Sequence, residues 1–291
     1  MSITETATTA APSPRKSGRV RTAHVKSTTR LTPEMIRVVF DGPDLQGLPV
    51  GDFCDAYVKL VFPPLGAPYR TADEFARMRD GLAAEHRPTL RTYTVRAYDA
   101  EVAELTLDFV YHGDEGLAGP WAARARPGDE IFLLGPGGGY CPAADADWHL
   151  LIGDESALPA ISVVLERLPA GRAAYVFLEV ADARERQPLP SPADVRITWV
   201  HRDEFGGAHG EGLVAAVTAA ELPSSTPDVF LHGEAGFVRR LRQHLRFERA
   251  VPREALSVSG YWRKGRDDEA WRAEKAAWKS AVEADEQRFA S

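Results

Sequence analysis

Short apolar or alternating runs, each closed by a turn, divide the first half of the chain. Residues 20–27 and 35–40 are rich in β-branched and apolar side chains, with turn signals at Thr32-Pro33 and Asp41-Gly42-Pro43. Residues 53–62 form a third run, stopped by Pro63-Pro64. Residues 73–85 read as a short helix ahead of two strands, 91–98 and 102–111, joined through Asp99-Ala100-Glu101. Residues 130–134, entered by Pro127-Gly128-Asp129 and left by Gly135-Pro136 and three more glycines, make a sixth strand. Short strands at this spacing, with so little helix between them, predict a compact β-barrel.

After residue 147 the rhythm changes. Residues 148–152 are continuously apolar, as suits a parallel strand buried on both faces. Residues 156–168 place Leu158, Ile161, Val164, Leu165 and Leu168 at helical spacing. Strand candidates at 175–180, 195–200 and 229–231 alternate with helical patterns at 213–220 and 237–247, which implies a parallel sheet flanked by helices. The chain therefore divides into a leader (1–18), a β-barrel domain (19–146) and an α/β nucleotide-binding domain with a C-terminal helix (147–291). The leader is rich in Thr, Ala, Pro and Ser and has no apolar core, so it reads as disordered rather than as a secretory signal. At the other end, Trp271 and Trp278 stand two helical turns apart within 267–287, and their shared face is expected to dock on the domain body.

Composition narrows the chemistry. A net charge of −7 argues against nucleic-acid binding, and no apolar run reaches the roughly 18 residues of a membrane span. The two cysteines, Cys54 and Cys141, are isolated, and neither Cys-x-x-Cys nor a histidine cluster is present. A reducing cytoplasm, no metal site and no iron–sulfur cluster are expected, so redox chemistry would need an organic cofactor. A monomer is the expected state.

Four stretches carry candidate chemistry. Arg91-Thr92-Tyr93-Thr94-Val95-Arg96 alternates cation, hydroxyl and aromatic along one strand, a set that suits a planar ring bearing phosphates and equally describes an ordinary exposed strand. Asp108-Phe109-Val110-Tyr111-His112-Gly113 runs into Gly116-Leu117-Ala118-Gly119-Pro120-Trp121, a glycine loop before a short helix, without any phosphate-loop spacing. Gly153-Asp154-Glu155-Ser156 and His232-Gly233-Glu234 both lie at strand carboxyl ends of the α/β half, where open parallel sheets bind ligands. Each is also a plain connection; their common position is what draws them together.

In that order and at those distances, these stretches, with Pro127-Gly128-Asp129 and Gly260-Tyr261-Trp262-Arg263, resemble the siderophore-interacting proteins, FAD-dependent ferric-siderophore reductases of the ferredoxin-reductase-like superfamily. The resemblance covers residues 20–286 and implies a β-barrel FAD-binding domain followed by an α/β domain for NADH or NADPH. It implies cofactor contacts from Arg91 (pyrophosphate), Thr92, Tyr93 (ring) and Thr94, from Asp108, Phe109, Val110, Tyr111 and His112, and from Ala118, Gly119, Pro120 and Trp121. In the α/β half it implies contacts from Gly153, Asp154, Glu155, Ser156, Gly233, Glu234, Tyr261 and Trp262. Leu117, Gly119 and Pro120 depart from the family's usual Pro, Ser and longer or charged residue, which leaves backbone contacts to be expected of that loop.

The activity so implied moves electrons from NAD(P)H through FAD to a ferric siderophore and releases Fe(II), with no protein acid or base as a catalytic residue. Lys59, Lys264, Arg266 and Lys275 are the candidate substrate cations, since ferric siderophores are often anionic. A reduced ferredoxin stays open as donor. So do a general flavin reductase, an electron donor to a partner, and a non-catalytic siderophore-binding protein. Arg184, Arg186 and Arg202 are each placed to meet a 2′-phosphate or merely to solvate a loop.

Overall fold

The computed structural model describes residues 19–289. The leader assigned to residues 1–18 lies outside the described residues. Strands β1 (Arg21–Thr32), β2 (Met35–Asp41), β3 (Tyr57–Phe62), β4 (Thr89–Asp99), β5 (Glu104–Val110) and β6 (Glu130–Gly137) close a barrel in the order β1-β2-β5-β4-β3-β6. Inward positions Ala23, Val25, Val38, Phe40, Val58, Leu60, Leu105, Leu107, Phe109 and Leu133 fill it. The segment before β4 forms an α-helix over α1 (Ala72–Met78), which a reciprocal Thr71–Glu74 capping box starts, and then two short 3-10 turns, Arg79–Gly81 and Ala84–His86. A second short helix, α2 (Ala118–Arg124), lays Ala118 and Ala122 on the barrel core.

The second half is a five-stranded parallel sheet, β11-β10-β7-β8-β9, built from β7 (Trp148–Gly153), β8 (Ala173–Val180), β9 (Asp194–His201), β10 (Asp228–Glu234) and β11 (Leu256–Trp262). This is the two-domain, ferredoxin-reductase-like arrangement. Alternate residues of β7 feed opposite faces: Leu151 packs under α3 (Leu158–Arg167), while Leu150 and Ile152 pack under α4 (Glu211–Ala219) and α5 (Ala235–Gln243). The sequence pattern yields four of these strands and misses β11, where Ser257, Ser259 and Gly260 dilute the apolar signal. Gly260 has a packing reason. A Cβ there would stand 2.9 Å from the Trp271 ring, so its absence lets α6 (Asp268–Phe289) seat that indole on the edge strand. Trp271 and Trp278 meet edge to face at 5.7 Å within the α/β core. No helix among the described residues is long and apolar enough to cross a membrane.

Among the contacts that fix the barrel on the sheet domain are three polar groups. Arg37 clasps buried Asp108 through two bonds of 2.7 and 2.8 Å, Arg96 lies 3.9 Å from the same carboxylate, and Arg96 donates to Glu166 on α3. Tyr140, in the connection between domains, donates to Asp228 at the start of β10 (2.8 Å). Buried Glu185, beyond β8, accepts from Thr32 Oγ1 (2.5 Å) and from the Glu34 amide (3.1 Å) at the β1–β2 turn. Removing that carboxylate leaves the buried Thr32 hydroxyl without a partner, a loss of about 1–3 kcal/mol, while the half-buried Glu34 amide can turn to water. Glu185→Ala is therefore expected to lower the urea midpoint by an amount equivalent to roughly 1–3 kcal/mol; an unchanged midpoint would show that the turn does not hold the domains together.

Candidate functional site

Strand β4 changes partners midway. It pairs with β3 from Thr89 to Thr94, but with β5 only from Val95 to Asp99. The register slips between Val95 and Ala97, and Thr94 and Val95 are buried in succession, so strict alternation fails there. Beyond the slip, residues 108–110 of β5 pair with β2 and not with β4. The wall is thus split between residues 91–94 and 108–110, and the β5-facing edge of the Arg91–Thr94 backbone has no strand partner. An unpaired main-chain edge of this kind offers donors and acceptors to a ligand in place of a ladder.

The residues named from sequence for a flavin surround this split. Arg91 and Tyr93 sit opposite Leu60 and Val58 and share their face. The Tyr93 ring lies 4.2 Å from that of Phe109, and burial pushes its phenol well above the usual range. Thr94 is buried opposite Tyr57, whereas Thr92 is exposed beside Lys59. Trp121 closes the base, 5.9 Å from Phe109 and 6.2 Å from Phe40. Val110 and Tyr111 are half-buried, Arg30 covers the Tyr111 ring at 4.7 Å, and exposed His112 stands 3.5 Å from Glu34. Ala118, Gly119 and Pro120 are buried; a Cβ on Gly119 would lie 2.8 Å from the Val110 carbonyl, so glycine is what lets α2 approach β5.

Two of these residues do something the sequence did not indicate. Asp108 faces away from Phe109 into the Arg37–Arg96 clasp. Arg91 donates to Glu269 (2.8 Å) and lies 3.5 Å from Asp268, both in the first turn of α6. The donor set suits FAD: an aromatic plate, a hydroxyl, a free main-chain edge and one guanidinium. A pyrophosphate at Arg91 would share it with two carboxylates.

The other cofactor residues named from sequence lie at the carboxyl ends of β7, β10 and β11. Asp154 is their tie. Its carboxylate accepts from the Ser156 amide (3.0 Å) and hydroxyl (2.5 Å), the Glu234 amide (2.8 Å) and the Trp262 indole (2.8 Å). Burial and then Glu155 push its pKa up, and these donors oppose the rise. Gly153 and Gly233 allow the crowding. A Cβ at Gly153 would meet Ala157 at 2.5 Å; one at Gly233, where φ is +140, would meet Phe237 at 2.6 Å. Glu155 turns inward onto Arg202, beside Glu179, and Glu234 caps α5 through the Gly236 and Phe237 amides. Ser156 alone of the Gly153–Ser156 loop is partly exposed.

Two histidines that sequence reasoning left unassigned belong here. His232, stacked on Phe230 at 3.8 Å, joins the Tyr261 hydroxyl (2.9 Å) to Ser257 (3.0 Å). His209 meets Trp262 edge to face at 5.1 Å, and burial followed by the Arg202 charge lowers its pKa to about 4. The signal for His209, a histidine between glycines in a strand-end loop, was present but weak. The candidate substrate cations do not form one cluster. Lys275 is half-buried, and burial and then Lys279 hold its pKa below the ordinary lysine value, with Arg272 and Lys59 also nearby. Lys264 belongs instead with His209, and Arg266 pairs with Glu274 at 2.6 Å on the exposed side of α6.

Comparison with known proteins places this geometry. A siderophore-interacting FAD-binding domain model matches residues 24–140, and a siderophore-interacting protein model matches residues 146–265. The chain is 35% identical to the ferric vibriobactin reductase ViuB of Vibrio cholerae over 84% of its own length and 90% of that protein's. It is 28% identical to an NADPH-dependent ferric-chelate reductase of Escherichia coli, over 84% and 93% of the two chains. The crystal structure of the siderophore-interacting protein SipS from Aeromonas hydrophila superposes with a TM-score of 0.76 at 31% identity, covering 90% of this chain and 99% of SipS.

His232 makes a prediction about pH. Burial, and then the Lys275 charge, lower its pKa from 6.5 to about 3. Above pH 6.5 the imidazole is neutral folded or unfolded and contributes no slope. As pH falls below that value the unfolded chain takes up a proton that the folded chain refuses, so stability drops by at most about 1.4 kcal/mol per pH unit. His232→Gln is expected to flatten the fall in urea midpoint between neutral and mildly acidic pH; an equal fall in both proteins would mean that His232 is not kept neutral.

Proposed function

The chain belongs to the siderophore-interacting protein family, and on that premise we propose that it is an FAD-dependent ferric-siderophore reductase fed by a reduced nicotinamide dinucleotide. The observation that carries the reading is the split in the barrel wall. An open main-chain edge at residues 91–94, with Tyr93 and Thr94 on it, is tied through Arg91 to the first turn of α6, the helix that follows β11; a parallel sheet takes a dinucleotide at the carboxyl ends of its strands.

Bound FAD would supply the conversion of a two-electron hydride donor into one-electron transfers to Fe(III). The protein's part is positional. Tyr93 and Trp121 give the ring an apolar seat, residues 109–112 and 118–121 close its sides, and Arg91 meets the phosphates by a charge-assisted contact. Gly153 to Ser156, Gly233 and Glu234 shape the donor's floor, and Tyr261 and Trp262 its wall, the first set by His232 and the second by Asp154. No side chain needs to move a proton. Fe(II) binds hard-oxygen chelators less tightly than Fe(III), so reduction releases the metal.

Lys59 and Lys275 are the cations we assign to an anionic ferric chelate, with Lys264 and Arg266 further out. Lys275 supports this: half-buried among like charges, it has most to gain from a bound anion. Free thiols at Cys54 and Cys141 suit a reducing cytoplasm.

Anaerobic mixing tests the whole. The FAD-loaded protein is reduced with a nicotinamide donor, then mixed with ferric chelates while flavin reoxidation is followed; fast reoxidation by a ferric siderophore is expected. Failure to take up FAD would end the proposal. Reduced flavin that no ferric chelate reoxidises would leave a general flavin reductase. Lys59→Ala with Lys275→Ala is expected to weaken an anionic chelate roughly tenfold and a neutral one little; equal losses would remove these lysines from the substrate site.

A further inference from the structure

Cys54 and Cys141 are isolated in sequence but meet in the fold. Cys54 lies on the connection between β2 and β3, and Cys141 lies just beyond β6, on the connection between the domains. The Cys54 amide donates to the carbonyl of Tyr140, the residue before Cys141, at 2.8 Å. Beside it the Asp55 carboxylate accepts from the Gly139 and Tyr140 amides, both at 2.8 Å. One hydrogen bond and one peptide unit thus separate the two α-carbons, which holds them within about 7 Å, the outer reach of a disulfide.

The side chains converge as well. The Cys141 thiol donates to the Asp52 carbonyl (3.2 Å), and Arg167 Nη1 donates to the same oxygen (2.7 Å). That guanidinium nitrogen stands 3.9 Å from Cys54 Sγ. Both sulfurs therefore lie around one carbonyl–guanidinium pair. Their access to solvent differs: Cys141 is exposed, whereas Cys54 is buried among the apolar residues under α3.

We propose that Cys54 and Cys141 are a modification site, a thiol pair that hydrogen peroxide converts into a reversible disulfide. Peroxide reaches the exposed sulfur first. The Cys141 thiolate attacks one peroxide oxygen; an S–O bond forms, the O–O bond breaks, and the departing hydroxide takes a proton and leaves as water. Cys54 then attacks the sulfenic sulfur and gives up its thiol proton. The S–S bond forms, the S–O bond breaks, and a second water leaves. In all, the two thiols lose two hydrogen atoms and one peroxide becomes two waters.

The two cysteines are suited to different steps. Burial pushes the Cys54 thiol up to about 11, and the Arg167 charge opposes the rise. Cys54 is therefore a poor nucleophile towards molecules in solution. Towards a sulfur held beside it, attack is intramolecular, and proximity of that kind raises the effective concentration by several orders of magnitude. A disulfide that forms under oxidation and is later reduced suits a compartment in which lasting bridges are rare. Neither step involves a flavin or a nicotinamide.

The purified full chain is treated with an equal molar amount of hydrogen peroxide, and its mass, peptide map and free thiols are measured. We expect both thiols to disappear together, a mass lower by two hydrogen atoms, a cross-link joining the Cys54 and Cys141 peptides, and recovery of both thiols with dithiothreitol. In Cys54→Ser the sulfenic acid at Cys141 has no partner, so labelling by dimedone is expected to rise at least about fivefold over the unaltered protein. The bond closes a long loop of chain, so the oxidised protein is expected to show a higher urea midpoint. Oxygen added to Cys141 while Cys54 stays free overturns the proposal. So does a dimer linked through Cys141, equal dimedone labelling of the two proteins, or a pair of thiols that survives peroxide. A disulfide that forms but lowers the urea midpoint overturns the fit of the pair to the native fold.

Discussion

The change of partner by β4 is the constraint on which the rest of the molecule hangs. A six-stranded barrel satisfies its backbone by closing. Here closure between β4 and β5 extends only over residues 95–99, because the slip after Val95 carries the strand away from β3 and towards β5. Unpaired main chain at residues 91–94 costs ladder bonds and creates a stretch of barrel wall that can receive a flat polar ligand. The α/β domain then secures both ends of the same strand. Arg91 and the Leu90 carbonyl meet Glu269 and Arg272 of α6, and Arg96 meets Glu166 of α3. An open edge is tolerable because the flanking segments cannot drift.

A second constraint acts at the strand ends of the sheet. Asp154 is buried and carries four hydrogen bonds from three separate segments, so β7, β10 and β11 are registered through one carboxylate. Such a network is worth more when complete than its members suggest singly, and costs more when broken. The glycines at 153 and 233 follow from it, since any side chain there would push the segments apart. The crevice is thereby rigid on the sheet side, and its aromatic wall, Tyr261 and Trp262, is fixed by hydrogen bonds from beneath rather than by packing alone.

Periodicity made the barrel and the central strands legible, because both are written locally. β7 is continuously apolar since both its faces are covered, and the barrel strands end at prolines and glycines. β11 escaped because an edge strand beside a helix needs little apolar surface, and Gly260 serves Trp271 rather than the strand. The charged residues were the least legible. Arg91 and Glu269 are 178 positions apart and Arg96 and Glu166 are 70 apart, so no spacing announces either pair. The same holds for Asp108, whose place in a flavin motif and whose clasp by Arg37 look identical in one dimension. His232 and His209 matter through neighbours that only folding supplies.

The pairing of Arg91 links the split strand β4 to the C-terminal helix. A phosphate held at Arg91 shares the guanidinium with Glu269 and Asp268, and Asp268 also pairs with Arg272 at 2.7 Å. Arg272 in turn reaches the Leu90 carbonyl and lies among the charges around Lys275. Drawing Arg91 towards a phosphate therefore frees carboxylate for Arg272 and alters the field at Lys275, one helical turn further along. Binding at two places that share such a chain of charges is coupled, and the coupling acts equally in both directions. The carboxylates of α6 thus hold Arg91 and Arg272 in place, so that a change at either arginine is felt by the other through Asp268.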